Sequence, residues 1–144
     1  MKAIPSVRSV MTQFPHFVEV DESLLSARVL MVEHDVRHLP VQDQGTLVGI
    51  LTDRDLKRAL DPDLRLPPKE ELFVNDIFEP EPYVVEGLEP LDTVLDYMAT
   101  HHIGSALVTK DKKLVGIITT IDACRLFCEH LRSVDSKRTG DGAA

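Results

Sequence analysis

The chain has 144 residues and a mass of 16.1 kDa, enough for one ordinary domain or two very small ones. Its net charge of −8 and pI near 5.1 disfavour a nucleic-acid-binding protein that relies on positive charge. The longest apolar runs, such as Leu47–Leu51, are far shorter than the roughly 20 residues of a membrane span. Two cysteines cannot build a disulfide framework, and Met1–Pro5 does not begin an export signal. We therefore expect a cytoplasmic protein.

An internal repeat dominates the sequence. Leu47–Thr52 aligns with Leu114–Thr119 at an offset of 67 residues, and the match extends upstream without gaps. About 16 of the 54 positions from Val7 to Leu60 are identical to their counterparts, where unrelated sequences would share about 3. The chain is therefore predicted to be a tandem duplication.

Each copy predicts the element order β-α-β-β-α. A short strand at Phe17–Glu19 precedes a helix that begins near Glu22 and whose dense apolar residues predict that it is well buried. Strands at Leu39–Val41 and Leu47–Leu51 form a hairpin, followed by a helix from about Asp53 to Leu60. The second copy repeats these elements at Tyr83–Val85, from Glu89, at Ala106–Val108 and Leu114–Ile118, and from about Thr120 to Arg132.

The predicted fold class is mixed α+β, with two pseudo-symmetric units. Residues 5–62 form the first unit, 63–73 a proline-rich linker, 74–132 the second unit, and 133–144 a polar tail predicted to be disordered. One copy has too small a sheet to cover both of its faces, so the two units are expected to pack through their sheets. This arrangement predicts a cleft on each side of the shared interface.

Three segments in order give the chain a family resemblance. They are Val7–Thr12, Val36–Val41 and Gly49–Leu56, and Gly116–Asp122 repeats the last of them. These segments resemble cystathionine-β-synthase (CBS) domains, and the pair resembles a Bateman module. The second copy departs from the pattern at Ile77–Glu79, where the first copy has Val10–Thr12.

The resemblance implies a sensory module whose clefts bind an adenosine-containing effector such as AMP, ADP or ATP, with no required cofactor. Thr52 and Thr119 end their strands, where a hydroxyl can donate to phosphate beside a helix N-terminus. Asp55 and Asp122 lie three residues further on, where a carboxylate can accept both hydroxyls of a ribose. The same residues also fit a purely structural role, with each threonine as a helix N-cap and each aspartate as a first-turn acid.

The resemblance adds further ligand-facing positions that make the two sites unequal. Arg37 and His38 face the ligand in the first copy, Gly104 and Ser105 stand in their places in the second, and Arg54 lies beside Asp55. If each cleft mixes both copies, Thr52 and Asp55 work with Tyr83 and Ser105. Thr119 and Asp122 then meet His38, Phe14 and Pro15. The more neutral Asp122 site would suit S-adenosylmethionine, whereas the arginines could equally be solvated surface cations.

Other patterns give weaker signals. The adjacent His101 and His102 diverge on a helix, which favours a helix-end role over a metal site. Cys124 and Cys128 are expected to be buried small apolar residues. No nucleophile, Walker or metalloprotease motif is present, so we do not expect an enzyme.

Two functional hypotheses stay open. The first is a regulatory sensor, and the second is an assembly module with degenerate pockets. The resemblance further implies a homodimer, of parallel or antiparallel arrangement, that acts on an unidentified protein partner. Neither nucleic-acid binding nor membrane insertion is expected.

Overall fold

The computed structural model describes residues 3–63 and 72–141, with side chains as far as residue 137. The first copy contains a 3-10 turn (Val7–Ser9), β1 (Thr12–Gln13), β2 (Val18–Glu19), α1 (Leu24–His34), β3 (His38–Asp43), β4 (Thr46–Thr52) and α2 (Asp53–Ala59). The second copy contains α3 (Val74–Ile77), β5 (Glu79–Pro80), β6 (Val84–Glu86), α4 (Leu91–His101), β7 (Ser105–Lys110), β8 (Lys113–Thr119) and α5 (Thr120–Asp141). The mixed α+β class and the predicted β-α-β-β-α order are confirmed.

The backbone repeats with the same 67-residue offset as the sequence. Every described non-glycine residue with positive φ has a counterpart of positive φ in the other copy. The pairs are Phe14 and Glu81, Asp35 and His102, Gln44 and Asp111, and Gly45 and Lys112. Asp35 and His102 end α1 and α4 in the left-handed conformation, a frequent way for a helix to stop. The duplication therefore extends to the residues that terminate helices and turn hairpins.

The two copies exchange their leading strands. The sheet orders are β1-β8-β7-β6 and β2-β3-β4-β5, so each four-stranded sheet takes one edge strand from the other copy. Gly49 of β4 lies against Phe78 and the Glu79 carbonyl, and Gly116 of β8 lies against the Met11 side chain. A side chain at either glycine would contact the segment that the other copy contributes to the sheet. Two-residue exposed strands carry no alternating pattern, which is why the sequence did not predict β1 and β5.

Each copy has its own core, and the sheets meet in a small third cluster. Leu24, Leu39 and Leu51 are fully buried in the first core, and Val94, Val108 and Ile118 in the second. The third cluster joins Ile50 to Leu107 and Ile117 between β4, β7 and β8. The contact between the two copies therefore lies close to the ends of the hairpins at which Thr52 and Thr119 stand.

The C-terminal helix differs from the prediction. We expected helix to about Arg132 and a disordered tail from residue 133, but α5 continues to Asp141, and residues 142–144 lie outside the described residues. Polar residues alone do not end a helix, and Ser133–Arg138 contains neither proline nor glycine. α5 turns one side, with Ala123 and Leu126 half-buried, toward its sheet. Cys124 and Cys128 lie on the other side and are exposed, so the expectation that they are buried was wrong.

Two further expectations about burial need correction. α1 buries only one face through Leu24, Ala27 and Met31, whereas Val29 and Val32 are 54% and 74% exposed. The C-terminal end of the predicted linker packs into the first copy. Leu72 is buried in the first core, and its carbonyl accepts a hydrogen bond from Leu24 N. Residues 64–71 of that linker lie outside the described residues.

No helix in the described ranges is long and apolar enough to cross a membrane.

Candidate functional site

The strand-to-helix junction of the first copy is a capping box. Thr52 ends β4 and is the N-cap of α2, and its Oγ1 accepts a hydrogen bond from Asp55 N at 3.2 Å. In return, Thr52 N donates to Asp55 Oδ2 at 3.1 Å. Within the described residues the Thr52 hydroxyl donates to nothing and Asp55 Oδ1 accepts nothing. The structural role of the pair therefore leaves one donor and one acceptor oxygen for a ligand.

The second junction uses the same residues differently. Thr119 N donates to Asp122 Oδ2 at 2.8 Å, and Asp122 N donates to Thr119 Oγ1 at 3.3 Å. Here the Thr119 hydroxyl also donates to Asp122 Oδ2, at 3.0 Å. A phosphate could receive this hydrogen only if the internal bond broke, so the two junctions are chemically unequal.

A cleft of about 730 Å³ lies between the two copies beside the first junction. Arg37, His38, Thr52, Arg54 and Asp55 line it from the first copy, and His101, His102, Gly104 and Ser105 line it from the second. Its volume lies within the 300–1,000 Å³ range of small-molecule sites. The structure thus brings six of the eleven predicted site residues together, namely Arg37, His38, Thr52, Arg54, Asp55 and Ser105.

Of the arginine and lysine side chains that line this cleft, only Lys57 forms an ion pair within the described residues. Lys57 pairs with Asp53 across one turn of α2, with Nζ 3.0 Å from Oδ2. Arg37 and Arg54 are exposed and form no ion pair within the described part of the chain. The two unpaired guanidinium groups can each bind an anionic group, although the carboxylates of Asp53, Asp55 and Glu79 line the same cleft.

His38 lies where the two copies meet. It pairs with Thr52 in the β3–β4 ladder, and its Nε2 lies 2.8 Å from the position that a Cβ on Gly104 would occupy. Burial lowers the pKa of His38 below its ordinary value of 6.5, and Arg37 acts in the same direction. Asp55, Asp122 and Asp53 oppose this shift. The unprotonated imidazole is therefore the main form at neutral pH, between the carboxylates of both junctions.

The remaining predicted residues are not in this cleft. Tyr83 packs on the second core and stacks on Tyr97 at 4.2 Å between ring centres, and Tyr97 stacks in turn on His101 at 3.9 Å. Tyr83 therefore lies behind the cleft wall. Thr119 and Asp122 are outside the lining, and within the described residues no hydrogen bond joins them to Phe14 or Pro15. Phe14 is 78% exposed, and its N donates to the Val115 carbonyl.

Sequence reasoning missed five titratable lining residues. They are Asp53, Lys57, Glu79, His101 and His102. His101 ends α4, and its Nδ1 lies 2.9 Å from the Tyr97 carbonyl, which can only accept, so Nδ1 carries the hydrogen. For the two histidines the available signal was their position just before Gly104–Ser105, a segment already assigned to the site. Within the described residues no three potential ligands gather to hold a metal ion.

The fold and the cleft define a class of protein: a duplicated α+β module with a potential small-molecule site between its copies. The CBS domain family model matches residues 7–62 and 74–129. The chain therefore belongs to the CBS domain family and contains a pair of such domains.

Curated relatives share this pair in different contexts. The uncharacterized protein YlbB of Bacillus subtilis is 35% identical over 118 residues, covering 81% of this chain and 78% of that protein. The L-aspartate semialdehyde sulfurtransferase of Methanocaldococcus jannaschii is 29% identical over 126 residues. That match covers 86% of this chain but only 23% of the enzyme.

Solved structures extend the comparison to ligands. The CBS domain pair of protein MJ0100, in complex with 5′-methylthioadenosine and S-adenosyl-L-methionine, has a TM-score of 0.79 and 28% identity. The match covers 89% of this chain and 99% of the MJ0100 chain. CBSX2 in complex with AMP has a TM-score of 0.75 and 30% identity, covering 87% of this chain and 97% of that one. Both are CBS structures with adenosine-containing ligands.

Proposed function

We propose that this CBS pair is a regulatory module that binds an adenine nucleotide (AMP, ADP or ATP) in the Asp55 cleft. The observation that carries the proposal is the convergence of Thr52, Asp55 and Arg54 with Gly104–Ser105 of the other copy. The free Asp55 oxygen is suited to accept from ribose hydroxyls, and the free Thr52 hydroxyl is suited to donate to phosphate. The AMP complex of CBSX2 supports the ligand class.

The arginines give the proposed site a preference for anionic ligands. Arg37 and Arg54 lack carboxylate partners in the described residues, so a phosphate does not have to compete with an internal salt bridge. At the positions of Asp53, Arg54 and Lys57, the second copy has Thr120, Ile121 and Cys124. The Asp122 side is thus less charged. We assign the nucleotide to the first junction for this reason.

Isothermal titration calorimetry with AMP and with adenosine tests this proposal. We expect saturable AMP binding, and we expect Arg54→Ile, which installs the residue of the second copy, to weaken AMP more than adenosine. Because Arg54 is exposed, the expected loss is about threefold to tenfold. Absence of heat with AMP, ADP and ATP on folded protein would overturn the proposal.

S-adenosylmethionine at the Asp122 junction is the second candidate ligand. The complex of the MJ0100 pair with S-adenosyl-L-methionine and 5′-methylthioadenosine favours it, together with the neutral residues Thr120 and Ile121 beside Asp122. A cationic sulfonium does not need the arginines of the other cleft. Titration of S-adenosylmethionine into the Arg54→Ile variant separates the two sites. This variant should bind S-adenosylmethionine as tightly as the wild type does, because Arg54 lies in the other cleft.

The proposed module regulates rather than catalyses. The sulfurtransferase relative is more than four times longer than the matched region, so its name does not transfer to the pair. Regulation requires the ligand to bind one arrangement of the copies, or of two subunits, better than another. The interface cluster of Ile50, Leu107 and Ile117 is the contact that such a rearrangement would alter.

We further propose that the module is a homodimer formed through its helices. Leu25, Val29 and Val32 form an apolar stripe on α1 at i, i+4 and i+7, and all three are exposed in the single chain. Phe127, Leu131 and Val134 form a second stripe with the same spacing on α5. A helix that is apolar on both sides is normally covered on both sides. A second copy is the proposed cover, and the signal would then pass to a separate protein partner.

A further inference from the structure

His38 differs from the other titratable groups of the cleft in its position. It begins β3, opposite Thr52 in the ladder, and its ring lies against Gly104 of the other copy. Its repeat equivalent, Ser105, is buried and carries no titratable group. The pseudo-symmetric pair at the junction of the two copies thus contains one imidazole and one hydroxyl.

The charged groups around His38 come from three elements. α2 contributes Asp53 and Asp55, α5 contributes Asp122, and the chain just before β3 contributes Arg37. The cleft also contains His101 and His102 at the end of α4, Arg54 and Lys57 on α2, and Glu79 on β5. Burial of the imidazole outweighs the carboxylates in the empty cleft, which disfavours the protonated form.

We infer that His38 takes up a proton from solvent when the phosphate of a nucleotide enters the Asp55 cleft. This inference rests on the proposed function. A phosphate dianion adds about two negative charges to the cleft that His38 lines, and these add to the carboxylates, which alone do not offset the burial of the imidazole. The reaction is a simple protonation, in which the solvent supplies the proton and the imidazole becomes an imidazolium.

Proton uptake makes nucleotide affinity depend on pH in a defined direction. Binding should tighten as the pH falls from about 8 to about 6.5, because the proton required by the complex becomes more available. The phosphate titrates with a second pKa near 6, and its protonation removes charge and works in the opposite direction. A comparison of protein variants with the same ligand cancels that contribution.

Calorimetry of AMP binding to the full chain tests the inference. Titrations at about pH 6.5, 7.2 and 8 in PIPES and in imidazole, which differ in ionisation enthalpy, report the protons taken up per nucleotide bound. We expect the wild-type protein to take up protons and to bind AMP about threefold to tenfold more tightly at the lowest pH than at the highest. The His38→Gln variant should bind AMP without that uptake.

A control variant makes the result specific. His130→Gln, on α5 outside the cleft lining, should retain the uptake. A buffer-independent heat for the wild type, or uptake that persists in His38→Gln or disappears in His130→Gln, would overturn the inference while leaving AMP binding intact. Absence of AMP binding at every pH would overturn both the inference and the proposed function. The wild-type buffer comparison does not depend on how well any variant folds.

Discussion

Thr52 and Thr119 occupy equivalent positions 67 residues apart, but only Thr119 donates its hydroxyl hydrogen to the aspartate of its own junction. The Thr52 hydroxyl accepts from Asp55 N and donates to no other described residue. Asp122 Oδ2 accepts two hydrogen bonds, whereas Asp55 Oδ2 accepts one. The duplicated motif thus has a hydroxyl hydrogen that is engaged within the junction at Thr119 and one that is not engaged at Thr52.

This difference predicts unequal effects of two matched substitutions. Asp55→Ala should weaken AMP binding by about 10-fold to 100-fold, since it removes a charged acceptor for the ribose hydroxyls. Asp122→Ala should change AMP binding less than threefold by the same reasoning. Both variants lose the aspartate oxygen that accepts from the backbone N of the N-cap threonine, so the stability of each should fall by about 1 kcal/mol. Calorimetry with AMP, accompanied by urea unfolding, measures both quantities, and equal losses of affinity would contradict the asymmetry.

The exchanged strands predict a contrast between two glycines. Gly49→Ala should lower the free energy of unfolding by about 1–3 kcal/mol, because its Cβ meets the Glu79 backbone carbonyl and the Phe78 ring. Gly116→Ala should cost less, because its Cβ meets only the flexible Met11 side chain. Urea unfolding followed by circular dichroism tests this order. A smaller loss for Gly49→Ala than for Gly116→Ala would argue against the packing of β5 on β4.

The buried position of His38 predicts acid sensitivity of the ligand-free protein. Its pKa in the folded state lies below the unfolded value of 6.5, so the unfolded chain binds the proton more readily. This residue therefore has no effect well above pH 6.5, and it lowers stability as the pH falls through 6.5 towards the folded pKa. Unfolding curves of wild type and His38→Gln at about pH 8 and pH 5.5 isolate its contribution. The stability difference between the two proteins should change with pH in this direction, and a constant difference would refute the assignment.

The apolar stripes predict the oligomeric state. Light scattering should give twice the monomer mass at micromolar concentration, and Phe127→Glu should shift the protein to the monomer because it places a charge in an apolar contact. Glu129→Gln, an exposed polar change on the same helix, should leave the dimer intact. A monomeric wild-type protein across the micromolar range would contradict the proposed dimer.

The parts of the fold that could be predicted from sequence are those fixed by local patterns. The apolar runs Leu47–Leu51 and Leu114–Ile118 indicated the hairpins, and the repeat offset transferred each element to the other copy. The capping residues Thr52 and Thr119 were recognisable because an N-cap depends on only a few neighbouring residues.

The parts that were missed depend on packing between distant segments. The exchange of β1 and β5 leaves no periodicity in two exposed residues. Lys57 on α2 and His101 on α4 line the same cleft although they belong to different copies, and a local sequence pattern does not show this proximity. The dense apolar residues of α1 predicted that the helix is well buried, but Leu25, Val29 and Val32 are exposed in the single chain. Composition shows that a helix is apolar, but it does not show which faces of that helix the rest of the chain covers.

A crystal structure of the full chain with saturating AMP tests the central claim most directly. The account predicts the ribose at the Asp55 carboxylate and the phosphate within hydrogen-bond reach of the Thr52 hydroxyl and of Arg37 or Arg54. An empty Asp55 cleft at saturating AMP, or AMP bound only at another surface, would contradict it.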